Sequence, residues 1–294
     1  MDFSITPEQE RLRKEVIQFA HQSLSCDMIK HDREAIFNRD AWQKCGEFGV
    51  QGWLIPTNYG GKGFDILTAI YGMQALGYSC KDNGFLFGMN AHIWACEMPL
   101  LAFGSDAQKE KYLPLLASGQ WIASHSATEP QAGSDIFNLK TTAQKKDDKY
   151  ILNGAKHYVT NGAVADLFIV FASVDLALGE KGLTVFLIEK NTPGLVVTPV
   201  ISTMGDRTAQ VTRLKLENCE VPVSHRLGAE GAGMTIFSHS MEWERGFILG
   251  TAVGTMERIL EKSMEYARKH KQFGQSISKF QLVSTKLVDM KISK

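Results

Sequence analysis

The sequence is poor in the features that would assign it to most specialised classes. It has five cysteines, Cys26, Cys45, Cys80, Cys96 and Cys219, scattered and without a C-x-x-C pair. An odd, dispersed set argues against a disulfide framework or a zinc site, so no metal is expected, and it fits a reducing compartment. There is no surplus of either charge: 32 Lys and Arg balance 32 Asp and Glu. Nothing therefore points to nucleic acid or to an acidic solvating tail. Long apolar runs are missing. "LFIVFASV" at 167–174 is the longest, far short of the roughly 20 residues that span a bilayer. The start, "MDFSITPEQERLRKEV", has no apolar signal core and no Arg-rich transit character. A soluble cytoplasmic protein with no membrane partner is expected. Internal repeats and low-complexity segments are also absent.

What is present is a chain of 294 residues with 44% hydrophobic and 22% charged residues, enough for one large domain or two to three smaller ones. Residues 1–121 carry apolar residues at helical spacing. Thr6 is placed as an N-cap, Pro7 as the first helical residue and Glu8 and Glu10 in the first turn. Gly60, Gly61 and Gly63 around Lys62 lack the order of a phosphate loop, so an inter-helix loop is expected there. Near residue 122 the apolar period changes from 3.6 to 2. In 122–229, Asn153-Gly154 predicts a type I′ hairpin, and further strands are predicted at 167–174, 183–189, 195–201 and 211–217. This segment reads as a compact antiparallel β domain. Gly228, Gly231 and Gly233 stand outside any parallel βαβ unit and read as a linker. Segment 230–294 returns to helix, with a stop near Gly274 and a last helix that ends without a cap, which implies a missing C-terminal segment. The fold class is thus α+β and multi-domain: an N-terminal helical domain, a middle antiparallel β-barrel domain and a C-terminal helical bundle.

Three stretches and one helix carry candidate chemistry. "SATEPQAGSD" (126–135) offers the Thr128 hydroxyl, bends at Pro130 and Gly133, and ends on Ser134 and Asp135. Such a loop can approach a flat or phosphorylated ligand through its backbone, or it can be a plain helix-to-strand connection. "KHYVTNG" (156–162) would present Tyr158 and Thr160 on one strand face. "RKHKQFG" (268–274) is a basic run that suits a pyrophosphate, or a solvated helix end. In "MEWERGF" (241–247), placed on a helix over 234–252, Glu242 and Glu244 are separated by roughly 200°, so they cannot share a role. Phe237, Met241, Glu244 and Ile248 form one apolar stripe, while Glu242 and Arg245 lie on a polar side and are spaced to pair. A carboxylate in an apolar stripe needs an arginine from elsewhere or a raised pKa, and a raised pKa suits a base working near neutrality.

These stretches resemble the acyl-CoA dehydrogenase superfamily. "SATEPQAGSD" matches its T-E-P-x-A-G-S-D fingerprint. "PTNYGG", "GSDAQKEKYLPLLASGQ" and "FGQSISKFQLV" match further family segments along the whole chain. The resemblance implies FAD as cofactor, held by His125, Ala127, Thr128, Gly133, Ser134, Tyr158 and Thr160, and by His270, Gln272, Phe273 and Gln281. Tyrosine at 158 departs from the usual tryptophan, and histidine at 270 departs from an arginine that binds the pyrophosphate. The resemblance further implies that Glu244, followed by Arg245, is the base of the branch that includes isovaleryl-CoA dehydrogenase, with Ser134, Glu242 and Arg245 near the substrate.

The reaction so implied is α,β-dehydrogenation of an acyl thioester: Glu244 takes the α-proton and the β-hydrogen leaves as hydride to the flavin. In "GMNAHIWACEMPLL" (88–101), which corresponds to the acyl-pocket region, His92, Trp94 and Met98 are bulky and point to a small, branched or cyclic acyl group. The tether is coenzyme A or an acyl or peptidyl carrier protein, as in relatives that oxidise carrier-bound prolyl groups. A homotetramer is implied, and an electron-transfer flavoprotein or oxygen would accept the electrons. The rival reading is a non-catalytic flavoprotein or interaction module that has kept the fold.

Overall fold

The computed structural model describes residues 4–294, which gather into two compact units. The first unit combines the stretch through Ser25 with Ile66–Lys81 and Leu249–Lys294. It contains α1 (Pro7–Ser23), α4 (Ile66–Ser79), α9 (Gly250–Lys269), a hairpin of β9 (Lys271–Gln272) and β10 (Gln275–Ser276), and α10 (Gln281–Ser293). The second unit combines Cys26–Asp65 with Asp82–Ile248. It holds α2 (Met28–Glu34), α3 (Arg39–Phe48), α5 (Asn83–Asn90), a π-helical turn (Ala91–Glu97), α6 (Met98–Phe103), α7 (Asp106–Ala117) and α8 (Gly233–Phe247). Its strands are β1 (Ala123–Ser126), β2 (Thr142–Lys146), β3 (Lys149–Val159), β4 (Leu167–Ser173), β5 (Leu183–Glu189), β6 (Leu195–Val197), β7 (Thr212–Pro222) and β8 (Arg226–Leu227). Among the described residues no helix is long and apolar enough to cross a membrane.

In the first unit, α1 starts as its sequence predicts. Thr6 Oγ1 accepts the Gln9 N–H at 3.2 Å, and the Gln9 side chain returns the bond to the Thr6 N–H at 3.0 Å. Leu12, Val16 and Ala20 then fall on one buried face. α4 and α9 cross at glycine: a Cβ on Gly77 would stand 1.9 Å from the Thr251 carbonyl, and one on Gly254 the same distance from the Gln74 carbonyl. Arg258 donates to the carbonyls of Gly77 and Tyr78 at 3.0 Å, closing the C-terminus of α4. α9 stops at Lys269 rather than near Gly274, because Phe273 (φ 52°) and Gly274 (φ 75°) form the tight turn of the β9–β10 hairpin.

In the second unit, the strand order is β6-β7-β3-β2-β4-β5-β8, with β1 added alongside β4. The sheet is not wholly antiparallel: β1 runs parallel to β4, from Ala123 opposite Leu167 to Ser126 opposite Val170, and β2 meets β4 in parallel at Thr142 and Ser173. Tyr150, Leu152, Phe168, Phe186, Leu214 and Val221 anchor the core. β4 is buried along its whole length, which explains its unbroken apolar run. The predicted Asn153-Gly154 hairpin is not formed. The turn is at Asp147 (φ 55°) and Asp148, between β2 and β3. Asn153 and Gly154 instead lie within β3 at a bulge opposite β7. Glycine is needed there because a Cβ would stand 2.4 Å from Thr141 Oγ1. The predicted strand at 195–201 is paired only over Leu195–Val197, and that at 211–217 extends to Pro222. The helix expected over 234–252 is interrupted at Ile248 and Leu249, between α8 and α9.

Candidate active site

The loop after β1 is shaped by one buried ion pair. Glu129 Oε1 lies 2.7 Å from Lys156 Nζ, with side chains 2% and 0% exposed. The Glu129 carboxylate also accepts the backbone N–H groups of Lys140 at 2.6 Å and Thr141 at 3.0 Å, and the Gln131 amide at 2.8 Å. Lys156 donates further to the Ala127 carbonyl at 3.1 Å. Burial alone would raise the Glu129 carboxyl, but Lys156 and these donors hold it below its usual range. Burial brings Lys156 down to about 8, and Glu129 opposes that shift. Sequence reading passed over this pair. Its only signal was a charged residue inside each of the two flavin-like motifs.

The pair fastens residues 127–141 and leaves a set of exposed or unengaged groups. Gly133 and Ser134 are exposed, and a Cβ at Gly133 would meet nothing within 4 Å. Thr128 is half-buried, and its carbonyl accepts the His157 N–H at 2.9 Å, which joins the loop to the KHYVTNG stretch. Ser126 Oγ and His125 Nε2 are buried with no partner. His125 packs on Phe171 at 4.9 Å between ring centroids, and burial, then the Lys156 charge, lower its pKa to about 4. It is therefore neutral at pH 7.

Tyr158 and Thr160 do not share a strand face by simple alternation. Tyr158 adopts φ 53° and Asn161 φ 64°, while β3 ends at Val159. The unusual backbone is over-determined by its partners: the Asn161 N–H bonds the Ala209 carbonyl at 3.0 Å and its side-chain amide the Gly88 carbonyl at 2.8 Å. The result is a Tyr158 ring standing 67% exposed beside half-buried Thr160. An aromatic face, a close-approach glycine loop and orphaned hydroxyl and imidazole groups suit a flat heteroaromatic ligand such as a flavin.

His270, Gln272, Phe273 and Gln281 belong to the first unit and are all exposed, Phe273 at 92%. His270 stacks on Tyr266 at 5.1 Å, and Gln272 Nε2 lies 3.4 Å from its ring.

The acid part of the site lies on α8. Gly233, Ile236 and Ser240 form its buried face, so the half-buried stripe containing Phe237, Met241, Glu244 and Ile248 flanks the contact rather than centring it. The π-turn packs against this helix. Trp94 stacks on Trp243 at 6.1 Å and 5°, and meets Phe247 at 5.6 Å. Trp243 in turn donates to His239 at 3.1 Å. Glu242 is exposed, and among the described residues no salt bridge joins it to Arg245. The expected pairing is not made; the charge of Arg245 is felt instead at its neighbour Glu244. Burial raises the Glu244 carboxyl, and Arg245 offsets part of that rise. Among the described residues no arginine from another helix bridges Glu244. The Cys96 thiol is pushed well up by burial, then by the charges of Glu244 and Glu97. His92, Trp94 and Met98 are buried. His92 is engaged in the core rather than lining an open tunnel.

The whole chain has counterparts among known proteins. Family models for the N-terminal, middle and C-terminal domains of acyl-CoA dehydrogenases match residues 6–120, 124–219 and 231–293. The chain belongs to the acyl-CoA dehydrogenase family. Members of this family are oxidoreductases acting on the CH–CH bond of acyl thioesters. An L-prolyl-[peptidyl-carrier protein] dehydrogenase of a Serratia species is 38% identical over 99% of this chain and 76% of its own length. Mitochondrial isovaleryl-CoA dehydrogenase of Pongo abelii is 36% identical over 97% of this chain and 68% of its own. Among solved structures, the prolyl acyl carrier protein oxidase AnaB is 68% identical, with a TM-score of 0.97 over 98% of this chain and 76% of that one. PigA, solved with FAD and proline, is 38% identical with a TM-score of 0.95 over 99% and 76%.

Proposed function

We propose that this acyl-CoA dehydrogenase family member oxidises a prolyl or similarly small cyclic acyl group carried as a thioester on a carrier protein, with FAD as cofactor and Glu244 as the base. The observation that carries the reading is the state of Glu244: half-buried, raised by burial and, among the described residues, bridged by no arginine of another helix. Sequence reading weighed coenzyme A and a carrier equally; the 68% identity to a prolyl acyl carrier protein oxidase favours the carrier. The segments 1–121, 122–229 and 230–294 are taken as its helical, β and helical domains.

The groups around the loop fit FAD. Ser126, Thr128, Gly133 and Ser134 offer backbone and hydroxyl donors. Tyr158 offers an aromatic face and Thr160 a hydroxyl, while His125 and Ala127 line the strand end. His270, Gln272, Phe273 and Gln281 are assigned to the rest of the cofactor in an assembled homotetramer. When bound, FAD supplies the acceptor for the substrate's β-hydrogen. The chain's own contribution is to orient the thioester and remove its α-proton. Glu244 is active as the carboxylate. Burial raises its proton affinity, as suits a base, and a positioned base of this kind typically contributes about 10²–10⁴-fold. Arg245 opposes part of that rise. Ser134, Glu242 and Arg245 are assigned to the thioester arm. The bulk of Trp94 and Met98 restricts the acyl group to a small one. The cytoplasm, and transfer of electrons to oxygen or an electron-transfer flavoprotein, complete the reading.

The test is anaerobic mixing of the flavin-loaded protein with prolyl-carrier, prolyl-CoA, isovaleryl-CoA and a long linear acyl-CoA. Fast loss of flavin colour with the prolyl-carrier thioester is expected. Fast loss only with the long linear chain, or none with any thioester, overturns the proposal. A protein that also lacks the yellow flavin spectrum would favour the non-catalytic reading.

A further inference from the structure

The π-turn between α5 and α6 contains two ionisable side chains that the mechanism above does not use. His92 and Glu97 are both 0% exposed, with His92 Nε2 3.2 Å from Glu97 Oε1. His92 Nδ1 accepts the backbone N–H of Ala123 at 2.9 Å. A ring nitrogen that accepts carries no proton, so the imidazole proton sits on Nε2, the nitrogen nearer Glu97. Among the described residues neither His92 Nε2 nor either Glu97 oxygen has a hydrogen-bond partner, so the two meet only as a close polar contact. Burial raises the Glu97 carboxyl, and His92 opposes the rise. Two polar groups buried with only each other are costly relative to an apolar pair of the same shape. Such a pair is a poor choice for stability alone, and its location shows what else it does.

The helix from Asn83 to Phe103 is widened in the middle. The Met98 N–H reaches back five residues to the Ile93 carbonyl, and Pro99 has no N–H to restore ordinary spacing. One side of the widened turn is fastened to the flavin loop's supports. Ala123, the first residue of β1, bonds His92, and Gly88 on α5 bonds Asn161, next to Thr160. On the other side Trp94 stacks on Trp243, the neighbour of Glu244. The His92–Glu97 contact spans the turn between these two attachments.

We propose that His92 and Glu97 are positioning residues: as a buried strut across the π-turn, they set the helix bearing Glu244 in register with the strand that leads into the flavin loop. The strut touches neither substrate nor flavin. It acts through Trp94 on one side and Ala123 on the other. The idea rests on Glu244 being the base.

Three forms of the flavin-loaded protein test it: the unsubstituted chain, Glu97→Gln and Glu97→Ala. The readouts are the limiting rate of flavin reduction by a prolyl-carrier thioester, the concentration giving half that rate, and the near-ultraviolet circular dichroism of the tryptophans. In Glu97→Gln an amide of the same shape keeps the polar contact with His92 Nε2, so the limiting rate stays within about threefold and the tryptophan signal is retained. Glu97→Ala removes the contact. Its limiting rate falls roughly 10- to 100-fold, as small misplacements of reacting groups do, with the half-saturating concentration unchanged and the tryptophan signal reduced. Should Glu97→Ala fail to fold, Glu97→Leu fills the space without the polar contact and the same losses are expected. A native limiting rate and tryptophan signal in the alanine or leucine variant overturn the proposal, as do equal losses in the alanine and glutamine variants. If the unsubstituted protein reduces its flavin with no thioester, the proposed function fails, and the tryptophan signal still decides whether the strut holds.

Discussion

Removing the charge of Lys156 while keeping its stem, as in Lys156→Met, would leave the Glu129 carboxylate buried without its cation. Its remaining donors are the backbone N–H groups of Lys140 and Thr141 and the Gln131 amide. Loss of one partner from a buried pair costs about 3–5 kcal/mol. Both side chains here are at most 2% exposed, so solvent does little to relieve that cost. At about 2–4 °C per kcal/mol for a chain of this size, the melting temperature should fall by roughly 6–20 °C. Glu129→Gln should fall by a comparable amount, because its NH₂ faces donors that need an acceptor. The double variant, with no buried charge left, should recover part of the loss, so the two single effects are not additive. Thermal unfolding by circular dichroism gives the cycle, and flavin fluorescence on heating reports whether loop 127–141 releases its ligand first. Single-variant losses below about 1 kcal/mol, or strict additivity, would refute the claim that this pair organises the loop.

Three further outcomes follow from other parts of the molecule. Gly254→Ala should destabilise by about 1–3 kcal/mol despite alanine's better helix propensity, since its Cβ would stand 1.9 Å from the Gln74 carbonyl; chemical denaturation measures it. Arg245→Leu removes the charge that lowers the Glu244 carboxyl. Glu244 must be ionised to act, so the acid limb of the limiting-rate profile should move to higher pH. Neutral His125, with a pKa of about 4 against an ordinary value of 6.5, favours the folded state above pH 6.5. Below that the unfolded chain takes up a proton that the folded one refuses, and stability falls down to pH 4 by up to roughly 3 kcal/mol. His125→Gln should flatten that part of the stability profile.

Local chemistry accounts for what could be read from the sequence. Thr6 and Gln9 form a cap only three positions apart, and the change from helical to strand period near residue 122 needs no tertiary information. Asn153-Gly154 misled because two requirements compete for an Asn-Gly pair: a tight turn, or a close approach to another strand. Thr141 supplies the second. Phe273-Gly274 was missed because phenylalanine is not a turn former, although its backbone takes φ 52°. The separation of Glu242 from Glu244 was visible in helical spacing. That Arg245 acts on Glu244 and does not bridge Glu242 depended on side-chain placement. Glu129 with Lys156, and His92 with Ala123, join residues far apart in the chain, so no spacing rule could pair them. The grouping of helices into the first unit draws on three separate stretches for the same reason.

The central claim is that Glu244, and not Glu242, removes the proton. Its most direct test is the rate of anaerobic flavin reduction by prolyl-carrier thioester in Glu244→Gln and Glu242→Gln, each checked for bound FAD. The account predicts that Glu244→Gln keeps its flavin and loses reduction by a factor on the order of 10² or more, while Glu242→Gln continues to reduce its flavin. Full reduction in Glu244→Gln, or a loss confined to Glu242→Gln, would contradict it.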